Sequence, residues 1–159
     1  MILKKQNLKK LIIITCTVVL FISQMLLVGC AKEVKPSETF NSYKNYWQKQ
    51  DFKNMYGLLS TEIKGKITED NFVNRYKKIY KGIEANNVKI KSANVDSIKP
   101  DENKKIEVVF SVGMDTLAGN VEIPGYKMTL TEEKIDKKNK WTVVWDEKLI
   151  FLSLDQLVQ

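Results

Sequence analysis

The side chains that could perform acid–base or nucleophilic chemistry in this chain are few in kind. Histidine is absent from all 159 residues, which removes the commonest general base and the commonest zinc ligand. The two cysteines, Cys16 and Cys30, both precede the first acidic residue, Glu33. A catalytic site beyond residue 30 would therefore have to use carboxylates, lysines and tyrosines.

One set of these side chains could form a minimal acid/base site. A carboxylate, Asp115 or Glu122, would stand beside aromatic rings between a helix and a sheet, as in ketosteroid isomerase. In the alternative interpretation, which we favour, the aromatic residues belong to the core and the acids face solvent. The aromatic residues concerned are Tyr76, Tyr80, Trp141 and Trp145.

Sequence motifs of known catalytic machinery are absent. No serine has a lysine three positions later, and neither Ser-Asp-Asn nor Lys-Thr/Ser-Gly occurs, so the serine set that reacts with penicillin is missing. Nucleophile-elbow, phosphate-loop, dinucleotide and calcium-loop patterns are missing as well. We therefore expect no enzyme activity, no cofactor and no metal.

The N-terminal residues have the order of an export signal. A lysine-rich start without acidic residues precedes an uncharged run over residues 11–28. The ending Leu27-Val28-Gly29-Cys30 resembles the lipobox of bacterial lipoproteins, whose cysteine receives a diacylglyceryl group and becomes the first residue after cleavage. The resemblance implies that Cys30 is lipidated, and two or more acyl chains anchor stably at about 0.8 kcal/mol per buried methylene. The alternative that this run is an uncleaved membrane helix also fits the sequence, because the run reaches the lower limit of about 18 residues for a membrane span.

Both interpretations place the same part of the chain outside the cell. The positively charged end stays in the cytoplasm, so the remainder is expected on the outer face of the cytoplasmic membrane. We expect a signal peptide over residues 1–30, a stem over 31–37, a folded domain over 38–151 and a tail over 152–159.

Charge and composition argue against a nucleic-acid partner. Of the 26 basic residues four lie in the signal, which leaves 22 against 19 acidic residues, interleaved along the chain. Arg75 is the one arginine, and no arginine-rich cluster occurs. The remaining net charge of about +3 would give a modest attraction to anionic lipid or wall polymer.

Three helices are predicted in the first half of the folded domain. From Glu38, apolar residues recur at spacings of three and four, and Asp51 then caps a second helix that ends at Ser60-Thr61. Thr68 caps the clearest helix, which ends at Gly82. Its apolar stripe predicts a core face made of Phe72, Val73, Tyr76, Ile79, Tyr80 and Ile83.

Strands are predicted after Asn87, where the apolar period changes from near 3.6 to two. A phase slip near Ser92-Ala93 suggests a bulge, turns fall at 100–103 and 136–139, and a strand begins after Pro124-Gly125. Helices followed by antiparallel strands predict an α+β domain with its helices on one face of a curved sheet. The predicted inward positions are Val88, Ile90, Ile106, Val108, Phe110, Val112, Met114, Tyr126, Met128, Leu130, Trp141, Val143 and Trp145.

Four segments stand in a characteristic order and spacing: Trp47 with 51–60, then 72–80, 114–119, and 141–146 with 149–151. Together they resemble the nuclear transport factor 2-like N-terminal domain (MecA N-terminal domain) of class B penicillin-binding proteins of the methicillin-resistance type. The resemblance implies a cone-shaped α+β fold. It also implies a non-catalytic spacer and docking module that holds a transpeptidase domain away from the membrane.

The sequence departs from that family after Asp146. The family continues through a proline-containing link into a dimerisation region and the transpeptidase, whereas Leu152 stands where the proline is expected and Gln159 is the last residue. No active-site residue of the family can therefore be transferred. A stand-alone lipoprotein and a truncated penicillin-binding protein both fit this pattern.

The expected function is spatial: docking to a cell-wall synthesis protein or to peptidoglycan. Two alternatives stay open, a pocket for a small apolar molecule in the interior of the cone and the acid/base site described above. A cone filled by side chains favours docking, whereas an open cavity with a buried acid favours the alternatives.

Overall fold

The computed structural model describes residues 34–92 and 94–146 of the chain. Within them helices come first and antiparallel strands follow, so the predicted α+β fold is confirmed. The elements are α1 (Pro36–Gln48), α2 (Phe52–Gly57), α3 (Thr61–Lys66), α4 (Glu69–Gly82), β1 (Asn86–Ser92), a 3-10 turn (Val95–Ser97), β2 (Lys105–Thr116), β3 (Gly119–Ile135) and β4 (Lys138–Val144).

Side-chain caps set the starts of three helices. Asp51, Ser60 and Thr68 each accept a hydrogen bond from the backbone N–H three residues later, at 3.2–3.3 Å. A cap of this kind contributes about 1 kcal/mol. α1 begins instead with Pro36 at its first position, where the missing N–H would have had no partner in the helix.

The helix boundaries correct the sequence prediction in three places. α1 begins at Pro36 rather than at Glu38, inside the segment predicted as a stem. Ser60 caps α3 rather than ending α2, and α3 was missed because its six residues bury only one side chain. Ile83 follows the end of α4 and is 36% exposed, so it lies outside the predicted core stripe.

The four strands form one antiparallel sheet in the order β1-β2-β3-β4. β2 and β3 meet in a tight hairpin, where Thr116 pairs with Gly119, and they pair along the length of β2. β4 pairs only with the far half of β3, from Thr129 to Ile135. The first half of β3 therefore has β2 on one edge and, among the described residues, no strand on the other.

A bulge in β3 corrects the predicted start of that strand. β3 begins well before Pro124 and Gly125, which lie in a register shift opposite Ser111. Gly125 has a φ of +76°, a left-handed conformation that glycine adopts without strain. The extra residue moves the inward positions from odd numbers, as at Ile123, to even numbers from Tyr126 onwards. This break hid the first half of the strand from a search for period two.

The bulge predicted near Ser92 is wrong in its position. β1 ends at Ser92, and its register with β2 shifts between Asn86 and Lys89 instead. Ala93 lies outside the described residues. The 3-10 turn that follows places Val95 in the core.

The helices cover one face of the sheet and form the core with it. Phe40 and Trp47 of α1 lie with their ring centroids 5.7 and 6.0 Å from that of Phe110 on β2. Trp145 is buried, as predicted, although it lies beyond the last paired residue of β4. Trp141 was predicted in the core but is only half-buried, packed against the edge of the core.

Candidate functional site

The predicted aromatic residues of α4 and Trp145 meet in a hydrogen-bonded cluster, called here the aromatic network. Trp145 Nε1 donates to the Tyr76 hydroxyl at 3.1 Å, and the hydroxyls of Tyr76 and Tyr43 lie 3.4 Å apart. One turn further along α4, the Tyr80 hydroxyl accepts a hydrogen bond from Trp47 Nε1. These five side chains are at most 6% exposed, and none of their polar atoms lacks a partner.

Burial keeps the tyrosines of the network in their neutral form. Removal from water raises the pKa of Tyr76, and likewise of Tyr43 and Tyr80, well above the ordinary value of about 10. On β3, where the ring of Tyr126 lies with its centroid 6.1 Å from that of Trp47, burial raises the pKa of Tyr126 to about 12. A phenol with a raised pKa cannot serve as a base near neutral pH, so the network has a structural role rather than that of a proton acceptor.

Aromatic rings fill the space between the helices and the sheet. Phe52 stacks on Tyr76 with ring centroids 4.9 Å apart, and Phe72 meets Trp145 edge-on at 5.3 Å. Contacts of this geometry each add about 0.5–1.5 kcal/mol beyond the area they bury. In the described part of the chain, the interior of the domain is thus occupied by its own side chains.

The structure does not bring the predicted carboxylates to the aromatic network. Asp115 follows Met114, whose side chain faces inward, and therefore lies on the opposite face of β2. Its carboxylate accepts hydrogen bonds from the side-chain amides of Asn87 at 2.6 Å and Asn120 at 2.8 Å. These bonds hold the pKa of Asp115 below its usual range. Glu122 is exposed on the same outer face and pairs with Lys91 at 3.1 Å.

Trp141 also stands apart from the network. It lies on β4 opposite Glu132, and its backbone carbonyl accepts a hydrogen bond from the Thr39 hydroxyl at 3.1 Å. The bond ties the first turn of α1 to the edge of the sheet. Among the predicted pocket residues, the structure thus joins Tyr76, Tyr80 and Trp145 and separates Trp141 and Asp115 from them.

An apolar groove, called here the rim groove, lies where the end of α4 meets the β2–β3 hairpin. Its volume is about 420 Å³, within the range of small-ligand sites. Leu117, at the tip of the hairpin, is 74% exposed, and Ile83 is the other large apolar side chain of the groove that is exposed. The sequence signal for it was a leucine in a hairpin turn, where a polar residue is usual. The lining residues are Gly82, Ile83, Met114, Thr116, Leu117, Ala118 and Val121.

Two further predictions concern metals and the membrane. Within residues 34–92 and 94–146, no cluster of three or more acidic residues could hold a metal ion. No helix in this part of the chain has the length and hydropathy needed to cross a membrane. Cys30, the predicted lipidation site, and the signal peptide lie outside the described residues.

Comparisons with known proteins agree with this fold of helices on a curled antiparallel sheet. The family described as the NTF2-like N-terminal transpeptidase domain matches residues 35–157, and the chain belongs to this family. Penicillin-binding protein 3 of Bacillus subtilis (strain 168) is 33% identical over 135 residues. The match covers 84% of this chain and 20% of that protein, so the chain spans about a fifth of the length of this relative.

Proposed function

We propose that this chain is a non-catalytic spacer and docking domain of the bacterial cell envelope. In this proposal a lipid on Cys30 holds it on the outer face of the cytoplasmic membrane, beside a cell-wall synthesis protein or peptidoglycan. The observation that best supports this proposal is the filled interior of the domain. The aromatic network occupies the space in which the acid/base site or the ligand pocket would have to lie. The similarity to about a fifth of a penicillin-binding protein, and the family described as an N-terminal transpeptidase domain, give the context.

The packing of the domain suits a spacer. Interiors packed ring against ring have low compressibility and transmit force rather than absorb it. Trp47 and Tyr76, with centroids 6.3 Å apart, couple α1 to α4, and Phe110 couples α1 to the sheet. A body of this kind keeps its two ends at a set separation.

Metabolic labelling tests the anchor. Radiolabelled palmitate should enter the full chain in cells and should be lost in Cys30→Ala. Cys16→Ala is the matched control, because it removes the other cysteine of the N-terminal segment and should leave labelling unchanged. Equal labelling of all three proteins would rule out lipidation at Cys30.

A fluorescent penicillin tests the catalytic and docking parts together. The tagged full chain, purified in detergent, should remain unlabelled under conditions that label an intact transpeptidase, because it lacks the reactive serine motif. After crosslinking in cells, a tagged adduct of higher mass should carry the fluorophore through its partner. A stoichiometric adduct on the chain itself would overturn the non-catalytic assignment. If no crosslinked complex with a partner forms in wild-type cells, and the purified chain does not bind peptidoglycan, the proposed docking role is wrong.

A further inference from the structure

The tip of the β2–β3 hairpin holds an exposed leucine in a fixed position. Leu117 is 74% exposed, and its backbone N–H donates to the carbonyl of Ile83 at 2.9 Å. Inside the turn, the Thr116 hydroxyl donates to the carbonyl of Gly119 at 2.9 Å and accepts a hydrogen bond from the N–H of Ala118 at 3.2 Å. Because these bonds order the turn in advance, Leu117 would lose little conformational freedom on binding a partner.

The rim groove extends this apolar surface from the hairpin to the end of α4. Thr116 supplies the one polar side chain among the seven described residues that line it, and Ile83 is exposed on the α4 side. A contiguous exposed apolar surface with a polar border is typical of sites that bind a protein or a membrane. The charges on that border decide between the two.

Lysines border the groove on the α4 side. Lys78 lies one turn before Gly82, which lines the groove, and residues four apart share one face of a helix. Lys77 and Lys81, also four residues apart, are exposed beside it. The α4 wall of the groove is therefore edged with positive charge.

Acidic residues near the groove are fewer than the lysines. Glu84 follows Ile83 in the chain, and Asp115 precedes the hairpin turn. On the same side of the sheet Lys89 is exposed on β1, opposite Gly113 of β2. Together with the three lysines of α4, Lys89 leaves an excess of positive charge around the groove, which complements an anionic partner.

Another exposed apolar side chain, Val109 on the outer face of β2, has a different border. Val109 is 47% exposed and lies opposite Lys127 of β3. The amine of Lys127 lies 3.0 Å from the carboxylate of Glu107, so the charges beside Val109 cancel. Only the rim groove thus combines, within the described residues, a large exposed apolar side chain with an excess of lysines.

We propose that the rim groove rests on an anionic lipid bilayer, with Leu117 and Ile83 inserted at the level of the headgroups and the lysines bound to lipid phosphates. Interfacial binding of this kind combines the burial of apolar side chains with the attraction of lysines to anionic lipid. A bilayer accommodates a projecting turn without a complementary shape, whereas a stable protein interface uses about 20–30 residues a side. The proposal rests on the membrane location proposed above but not on a lipid at Cys30.

A fluorescent probe at the hairpin tip tests whether the rim groove contacts lipid. In the full chain with Cys16→Ala and Cys30→Ala, Ala118→Cys carries the environment-sensitive fluorophore NBD and leaves Leu117 in place. In vesicles of equal parts phosphatidylglycerol and phosphatidylcholine, its emission should shift to the blue, and nitroxide-labelled lipid should quench it at least about twofold. Val109→Cys is the matched control and should keep the emission of a probe in water. Equal quenching at both positions, or none at position 118, would overturn the proposal.

Variants with the probe at position 118 separate the apolar and the charged contributions. Leu117→Ser should remove most of the quenching, and Lys78→Glu with Lys81→Glu should reduce it, because anionic lipid then repels the α4 side. Lys134→Glu with Lys138→Glu is the matched control, since both lysines are exposed at the far turn between β3 and β4, and it should leave quenching unchanged.

Two further measurements complete the test. Thermal unfolding followed by circular dichroism shows that each variant is folded, so a loss of quenching reports the surface rather than the fold. Unchanged quenching in a folded Leu117→Ser variant, or equal loss in both lysine pairs, would overturn the proposal. Palmitate labelling of the wild-type chain tests the anchor at Cys30 separately, so the failure of one proposal is distinguishable from the failure of the other.

Discussion

The aromatic network and the rim groove are both lined by apolar side chains, yet they differ in how completely those side chains are covered. In the network Trp47, Tyr76 and Trp145 are at most 6% exposed, and their polar atoms are paired. In the groove Leu117 keeps 74% of its surface exposed. The comparison separates a region that stabilises the fold from one that leaves apolar side chains exposed to solvent.

α4 connects the two regions and explains the difference. Its stripe of Phe72, Tyr76 and Tyr80 packs against side chains of α1 and α2 and against Trp145. Beyond Gly82 the helix has ended, and no helix within residues 34–92 and 94–146 covers Ile83, which is exposed. The same sheet thus offers a closed core at its centre and an open apolar face at its hairpin end.

The largest effect should come from removing a tryptophan of the network. Trp145→Ala should lower the free energy of unfolding by about 3–5 kcal/mol, because it deletes a buried ring and leaves a cavity beside Phe72. Trp141→Ala is the matched control and should cost at most about half as much, since Trp141 is half-buried. Denaturant unfolding of both variants measures the difference. Equal losses would contradict the assignment of Trp145 to the core.

A smaller effect is expected from deleting one hydroxyl. Tyr76→Phe keeps the ring but leaves Trp145 Nε1 buried without its acceptor, at a cost of about 1–3 kcal/mol. Tyr46→Phe is the control, because this half-buried hydroxyl makes no hydrogen bond with the described residues. Urea unfolding compares the two. If both variants matched the wild type, the hydrogen bonds of the network would contribute nothing to stability.

Alkaline pH should weaken the interior selectively. The folded pKa of Tyr76, Tyr43 and Tyr80 lies above the unfolded value of about 10. Their contribution to stability is therefore complete below pH 10 and is lost as the pH rises above it, because the unfolded chain releases these protons first. Phenolate absorbance should rise together with unfolding, and Tyr76→Phe should flatten the decline. Ordinary titration of all the tyrosines in a chain that stays folded would argue against their burial.

The smallest effect concerns Asp115, near the hairpin. Its folded pKa is lowered by hydrogen bonds from Asn87 and Asn120, so its contribution is present above the unfolded pKa of about 3.9 and is lost as the pH falls below it. Asp115→Asn should therefore show a shallower loss of stability in acid than the wild type. Removing both donors, with Asn87→Ala and Asn120→Ala, should produce the same flattening. A steeper acid transition in either variant would reverse the sign of this argument.

Sequence reasoning predicted the helices and most of the strands because their signals are local. Thr68 and Gly82 bound α4, and the alternation from Ile106 to Met114 marks β2 without any knowledge of neighbouring elements. The first half of β3 was not predicted, because the bulge at Gly125 changes the phase of the alternation between inward and outward side chains. α3 was not predicted, because a helix of six residues with one buried side chain shows no apolar periodicity.

The candidate site depended on contacts between distant parts of the chain. Trp145 and Tyr76 are 69 residues apart, and no spacing rule reveals that the indole nitrogen of one meets the hydroxyl of the other. Asp115 was associated with the aromatic residues by chemistry alone. Side chains alternate between the two faces along β2, so the carboxylate of Asp115 lies on the face opposite to the aromatic network. There it accepts hydrogen bonds from Asn87 and Asn120.

The sequence by itself determined the order of helices before strands, the absence of known catalytic motifs and the resemblance to the family, because composition, caps and periodicity are properties of neighbouring residues. Tertiary structure alone decided which apolar surfaces are covered. Coverage depends on strand register and on where each helix ends relative to the sheet: Phe72 faces Trp145, whereas Leu117 extends past the end of α4 into an open groove.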